Sequence, residues 1–354
     1  MKDSSGDKRK IYLDILRIIA IFLVIFNHTG TQGFFLFSVT PVTVEYWVYL
    51  SMSIFCKIAV PLFFMISGAL LIGKDDAFRI LRWRISRFIL VILGASFFWY
   101  VILVRNHIEP FSIYSFFCRV YSNDVIVPYW FLYSYLSILL MLPLIRKMAQ
   151  NMKEKDYMYL ITMYIIFSML IPVFQYFAFN NTVNISIEIP IITYMPIFYL
   201  CIGYYLDHYF DEARIKKHRE ILWIVGLLSI VVACFMVHYD CINTGICNEK
   251  SSQIFHSTFI LMPAIGVFCG VKYAAGQTNF SICQRKWILS LSQCVFGIFV
   301  MEQYLRDKIF PIGTKIFYFL PPIIICCVNI MLVIIVGFML TSILRKIPII
   351  RKVI

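Results

Sequence analysis

The chain has 354 residues, 61% of them hydrophobic and 14% charged, with a mean hydropathy of +0.81. No soluble core hides that much apolar surface, so the composition reads as a polytopic membrane protein. The formal charge of +13 would suggest nucleic acid for a soluble chain, but in a membrane protein it asks which loops hold the cations, and no nucleic-acid partner is expected.

The chain opens on a short basic tail, residues 1–10, MKDSSGDKRK. The run that follows, YLDILRIIAIFLVIFNHTG from Tyr12 to Gly30, carries Asp14 and Arg17 and lacks a small-x-small cleavage site. It therefore reads as a retained first span and not as a signal peptide. Apolar runs long enough to cross ~30 Å of hydrocarbon number ten. They are Ile11–Thr29, Val48–Ile72, Phe88–Val104, Tyr129–Ile145, Tyr157–Phe179, Ile189–Leu206, Ile221–His238, Ile254–Tyr273, Trp287–Leu305 and Phe319–Leu344. The predicted fold is all-α: a polytopic transmembrane helix bundle of about ten spans.

Lys and Arg in the connections set the orientation, because short cytoplasmic loops accumulate them. Alternate connections hold 24 such residues on one side and 6 on the other (Arg105, Arg119, Lys250, Arg306, Lys308 and Lys315), with Arg17 and Lys57 inside spans. Both termini are predicted to be cytoplasmic. Connections this short leave no separate soluble domain, so any chemistry belongs to the bundle or its mouths. The eleven cysteines lie mostly in apolar segments and read as packing thiols. There is no CxxC or HExxH spacing, and no metal site is expected. Cys241 and Cys247 share an outer loop, where oxidation to each other is an open alternative.

Polar residues inside spans are functional candidates by default. Arg17 and His28 are eleven residues apart, which puts them on nearly one helix face about 16 Å apart. Arg17 then lies in the inner half and His28 near the outer mouth. His28 suits a general base, since imidazole titrates near neutrality, or is a histidine resting at the interface. Arg17 either lines a wet cavity or forms an i, i+3 pair with Asp14.

In the second span, KIAVPLFFMISGALL, Pro61 predicts a bend and Ser67-Gly68 close packing. Ser67 has no neighbouring base to make it a nucleophile. Lys57 lies in the outer part of that span. The stretch DDAFRILRWRISRF carries Arg79, Arg82, Arg84 and Arg87 on the cytoplasmic side. These either anchor by charge or hold an anionic cytosolic ligand, because guanidinium forks suit phosphates. Trp130 opens the fourth span among tyrosines that suggest an interfacial belt. Glu302, in FGIFVMEQYL, places a carboxylate inside the ninth.

The succession LDILRIIAIFLVIFNH, AVPLFFMISGALL, RILRWRISR, WFLY, IFYLCIGYYL and FGIFVM resembles the acyltransferase-3 family of integral-membrane O-acyltransferases. The resemblance covers the whole chain, 1–354, as a single integral-membrane acyltransferase domain of the cell membrane. It implies transfer of an acyl group, usually acetyl, from cytosolic acyl-CoA to a hydroxyl of a surface glycan or its lipid-linked precursor. It puts His28 in the catalytic position, Arg17 in the paired essential position, and Arg79, Arg82, Arg84 and Arg87 on the CoA side. Asp14, Asn27, Lys57, Ser67, Trp130 and Glu302 are the candidates for substrate binding. The family's late motif commonly ends in Tyr-x-x-His, whereas Phe299 and Glu302 occupy those places here.

The expected partners are therefore acyl-CoA (acetyl-CoA as donor, with no metal), a glycan or lipid-linked saccharide acceptor and membrane lipid. A homo-oligomer is left open. The alternative from another class is a transporter or exporter of a glycan or small polar solute, in which Arg17, Glu302 and His28 line a pathway without acyl-transfer chemistry.

Overall fold

Backbone polar groups in hydrocarbon must be satisfied within the segment itself, so apolar runs of this length become helices. The computed structural model describes residues 10–74, 78–179, 189–245, 247 and 253–347, and among these there is no strand. The tail residues 1–9, with Lys250, Arg351 and Lys352, lie outside them. In chain order the helices are α1 Ile11–Asn27, α2 Val44–Cys56, α3 Ala59–Leu71, α4 Phe78–Arg105, α5 Ile113–Ser122, α6 Trp130–Asn151 and α7 Glu154–Tyr164. A π-helical stretch, Ile165–Leu170, leads into α8 Ile171–Ala178. There follow α9 Pro190–Thr193, α10 Met195–Tyr209, α11 Glu212–Thr244, α12 Gln253–Thr258, α13 Leu261–Gln277, α14 Ile282–Ile316 and α15 Pro322–Leu344.

Among the described residues, seven helical stretches are long and apolar enough to cross a membrane: Val44–Leu71, Phe78–Arg105, Val127–Asn151, Glu154–Ala178, Glu212–Thr244, Ile282–Ile316 and Pro322–Leu344. The chain is thus a multi-pass membrane protein. The other three expected spans form α1, α10 and α13, with 17, 15 and 17 residues. At ~1.5 Å per residue these reach only about 23 to 26 Å.

The described residues divide into two compact units. One combines Met1–Ala69 with Met152–Thr341, and the other Leu70–Asn151 with Ser342–Ile354. In the first unit α1 packs against α13 and α14, and α11 against α13 and α2. Leu16, Ala20, Ile21 and Ile25 of α1 are fully buried. The N-terminal end of α1 is tied down by Lys10, 2.7 Å from Asp207, and by the Tyr12 hydroxyl, which donates to the same carboxylate. Lys272 donates to the carbonyls of Leu206 and Asp207 at 3.0 and 2.9 Å, and also to that of Phe210. It thereby caps the C-terminus of α10, where a cation is favoured by the helix dipole.

Two features of the second expected span have local causes. Pro61 has no N–H, and its ring crowds the carbonyl four residues back, that of Lys57. The helix accordingly breaks at Lys57 and Ile58, between α2 and α3. Further along, a Cβ on Gly68 would meet the Leu200 carbonyl oxygen at 1.8 Å, and one on Gly203 the Met65 carbonyl oxygen at 2.0 Å. α3 and α10 therefore cross backbone to backbone, the contact that small residues permit in membranes. Between α14 and α15 the glycines receive side chains instead, Thr341 lying over Gly297 and Asn329 over Gly313.

In the second unit α4 packs on α5 and α6. Leu71, Leu81, Leu139 and Leu142 form its core, covered by Ile85, Phe88 and Tyr135. Arg146, counted in the sequence among the loop cations, is buried and donates through Nε to the Leu71 carbonyl at 2.8 Å. Gln150 donates to the Ile72 carbonyl at 2.7 Å.

Candidate functional site

Two polar clusters lie along α1, and α14 completes both. The one nearer the N-terminus of α1, called inner after the predicted orientation as the other is called outer, begins at Asp14, which is buried. Arg17 Nη1 donates to Asp14 Oδ1 at 2.9 Å, the i, i+3 pair that the spacing allows. Ser292 of α14 donates to the same oxygen at 2.6 Å and lies 3.4 Å from Arg17 Nη1. The carboxylate thus holds the guanidinium in one orientation and the hydroxyl braces it. Arg17 keeps 27% of its side chain exposed, so its fork is not closed off.

The outer cluster begins at His28, which caps α1. Gly30, at φ +56°, turns the chain away from the helix in the left-handed region that glycine adopts without a Cβ penalty. The Thr29 hydroxyl donates to the Phe26 carbonyl at 2.7 Å and accepts from the Phe34 N–H at 2.8 Å, knitting the loop beneath. His28 Nδ1 lies 2.7 Å from Glu302 Oε1. A carboxylate in its ionised form only accepts, and against it the neutral ring donates from Nδ1 and keeps the Nε2 lone pair. The imidazole is 22% exposed and the carboxylate 1%, so the ring reaches outward from a buried anchor. Arg306, one turn beyond Glu302, lies 3.9 Å from Glu302 Oε2 and donates to the His28 carbonyl.

Asp14 pairs with Ser292 and His28 with Glu302, so α1 and α14 run in the same direction. The fourteen-residue step from Asp14 to His28 and the ten-residue step from Ser292 to Glu302 differ in rise by roughly 6 Å, and Arg17, whose Nη1 lies 3.4 Å from Ser292, stands between. One helix pair supports both clusters.

The remaining candidates are distributed as follows. Asn27 adjoins His28, and Cys56 Sγ lies 3.9 Å from its Oδ1. Lys57 Nζ sits 4.5 Å from the centroid of Phe34, a ring of the loop that follows His28. Ser67 is turned back into its own helix, donating to the Phe63 carbonyl at 2.8 Å, and so serves packing with Gly68. Trp130 and the four arginines belong to the second unit. Trp130 heads α6, half exposed. Arg79 and Arg82 are exposed on the first turns of α4, Arg84 and Arg87 are half-buried, and Arg87 lies 5.5 Å from the Trp83 ring. Cys241 and Cys247 are both thiols, Sγ to Sγ 2.8 Å. No group of three or more His, Cys, Asp or Glu side chains that could hold a metal occurs among the described residues.

Sequence reasoning missed Ser292 and Arg306. Ser292 gave no signal beyond being a small polar residue in an apolar run. Arg306 gave one, its i+4 spacing from Glu302, but Arg306-Asp307-Lys308 looked like a loop. The helix continues to Ile316.

Chemically, the outer cluster is an imidazole held by a carboxylate, an arrangement able to deprotonate a hydroxyl. The chain matches none of the curated proteins and none of the solved structures compared with it. The family model described as an acyltransferase domain matches residues 10–344, which include both helices of the two clusters and the arginines of α4. The chain belongs to the acyltransferase-3 family of membrane acyltransferases.

Proposed function

We propose that the protein is a membrane O-acyltransferase that moves an acyl group, acetyl in the simplest case, from cytosolic acyl-CoA to a hydroxyl of a surface glycan or a lipid-linked glycan precursor. The observation that carries this reading is the 2.7 Å contact between His28 Nδ1 and Glu302 Oε1, which leaves Nε2 to act. In the step itself the acceptor hydroxyl gives its proton to Nε2 as its oxygen bonds the thioester carbonyl carbon. The carbon–sulfur bond then breaks and the leaving thiolate takes the proton from the imidazolium. The buried carboxylate of Glu302 holds the ring tautomer and stabilises the cation formed on the way.

Arg17, braced by Asp14 and Ser292, orients the site or offsets negative charge on the reacting acyl group. Arg79, Arg82, Arg84 and Arg87 are the proposed partners of the CoA phosphates. In this reading Glu302 acts on His28, not on the substrate. The family's His is replaced by a carboxylate that serves the one imidazole left. Asn27 and Lys57, beside the His28 loop, are proposed to meet the acceptor.

Ten crossings with both termini cytoplasmic, in the plasma membrane, fit this scheme. α1 and α10 are largely enclosed by other helices, and a helix shielded from lipid need not span the full hydrocarbon by itself. The test is purified protein in lipid nanodiscs with acetyl-CoA, read as free CoA thiol, together with the O-acetyl content of surface glycans in cells carrying His28→Ala. Loss of both signals in the variant is expected. Wild-type protein that neither binds nor cleaves acetyl-CoA would sink the assignment.

A further inference from the structure

Arg306 counts in the sequence as one of six cations of the outer connections, and such residues ordinarily anchor a helix at the lipid headgroups. Lys308, two residues on, behaves that way: it is exposed, with Nζ 5.9 Å from the Tyr304 ring of its own helix. Arg306 turns the other way. Its side chain is 15% exposed, and its guanidinium joins three groups: the His28 carbonyl, Glu302 Oε2 at 3.9 Å and Asp307 Oδ1 at 3.5 Å.

Glu302 needs such a neighbour. Its carboxylate is buried, Oε1 is engaged by His28, and Oε2 has no hydrogen-bond partner. A buried carboxylate oxygen without a hydrogen bond is costly, and a guanidinium beside it offsets that cost. Guanidinium stays protonated under all working conditions and its planar fork addresses two acceptors at once. One side chain therefore holds the histidine from two directions, through the backbone carbonyl of the same residue and through the carboxylate on its ring.

We propose that Arg306 is a positioning residue for the base: it fixes His28 through the main chain and, paired with Glu302, holds the carboxylate that orients the ring. The proposal rests on the reading of His28 as the general base. Arg306 touches no reacting atom, and its effect passes through Glu302 and His28.

The experiment compares wild type, Arg306→Gln, Arg306→Lys, Glu302→Gln and the Glu302→Gln/Arg306→Gln double variant, full length in nanodiscs. The readouts are kcat and KM for acetyl-CoA cleavage by CoA-thiol release, and backbone amide exchange of residues 28–34 by mass spectrometry. Arg306→Gln is expected to lower kcat by roughly tenfold to a hundredfold, as loss of an orienting partner does, with KM for acetyl-CoA within about twofold. Arg306→Lys restores part of the loss, because the charge returns without the fork. The double variant is no slower than Glu302→Gln alone, since both losses run through one imidazole. Exchange at 28–34 rises in both Gln variants at position 306.

A kcat for Arg306→Gln equal to wild type, or an undiminished further loss in the Glu302→Gln background, overturns the proposal. If wild type itself cleaves no acetyl-CoA, the reading of function fails separately, and unchanged exchange at 28–34 in Arg306→Gln then overturns the clamp as well.

Discussion

His28 and Glu302 stand 2.7 Å apart across 274 residues of chain. The contact gives a histidine at the end of the first helix the orienting carboxylate that a general base uses. It also gives a purpose to a carboxylate inside an apolar helix, where an unpaired charge is costly.

The first prediction concerns that contact. Glu302→Gln keeps the shape of the side chain but permits the other ring tautomer, so kcat for acyl transfer is expected to fall by about 10² to 10⁴-fold, while the protein elutes as a single species like wild type. His28→Ala is expected to abolish turnover without loss of acyl-CoA binding. Steady-state rates of CoA release with each purified variant check both, and a Glu302→Gln enzyme at wild-type rate would refute the pairing.

A second prediction separates the inner cluster from the outer one. Ser292→Ala removes a hydroxyl that donates to Asp14 at 2.6 Å, and is expected to cost roughly 1 kcal/mol of stability. Asp14→Ala strips the guanidinium of the carboxylate at 2.9 Å and should cost more, about 1 to 3 kcal/mol after allowance for the partial exposure of Arg17. Thermal unfolding in detergent, followed by tryptophan fluorescence, ranks the two. Equal midpoints for Asp14→Ala and wild type would show that the pair does not hold the helix.

The arginines of α4 should act on donor affinity alone. Arg79→Ala and Arg82→Ala each remove an exposed guanidinium, and KM for acetyl-CoA is expected to rise about tenfold per lost charge-assisted contact with kcat little changed. Titration of CoA by isothermal calorimetry gives the same answer without turnover. CoA binding unaltered in the double variant removes these residues from the donor site.

Packing supplies the last prediction. A Cβ at Gly68 would sit 1.8 Å from the Leu200 carbonyl oxygen, an atom of backbone and not a flexible side-chain end. Gly68→Ala and Gly203→Ala are each expected to destabilise the protein by roughly 1 to 3 kcal/mol, the range for overpacking. Gly94→Ala, where a Cβ meets open space, serves as the control that should be near neutral. Unfolding midpoints of the three variants decide it.

Much of this was legible along the chain because a bilayer imposes its demands locally. Seven of the ten apolar runs became helices of spanning length, and the Pro61 bend and the Ser67-Gly68 contact followed from the chemistry of single residues. The ends of helices were harder. Flanking arginines suggest boundaries at Phe88 and Leu305, yet the helices run on to Phe78 and Ile316. Beyond the hydrocarbon, water satisfies charged side chains on a helix as readily as in a loop, so charge does not mark where a helix stops. The candidate site was visible as types and not as partners: Arg17, His28 and Glu302 stood out as polar groups in apolar runs, while Ser292 and Arg306 carried no cost that would single them out.

By itself, then, the chain determined that it is a membrane-embedded, all-helical protein, that α1 carries a cation and an imidazole on one face, and that its motifs are those of a membrane acyltransferase. These follow from hydropathy, helical period and residue order, which are properties of neighbours in sequence. The tertiary structure decided that α14 lies parallel to α1, so that Asp14 meets Ser292 and His28 meets Glu302. Nothing local encodes that pairing. It persists because a carboxylate and an imidazole, each expensive alone in a membrane, are stable there when packed against each other.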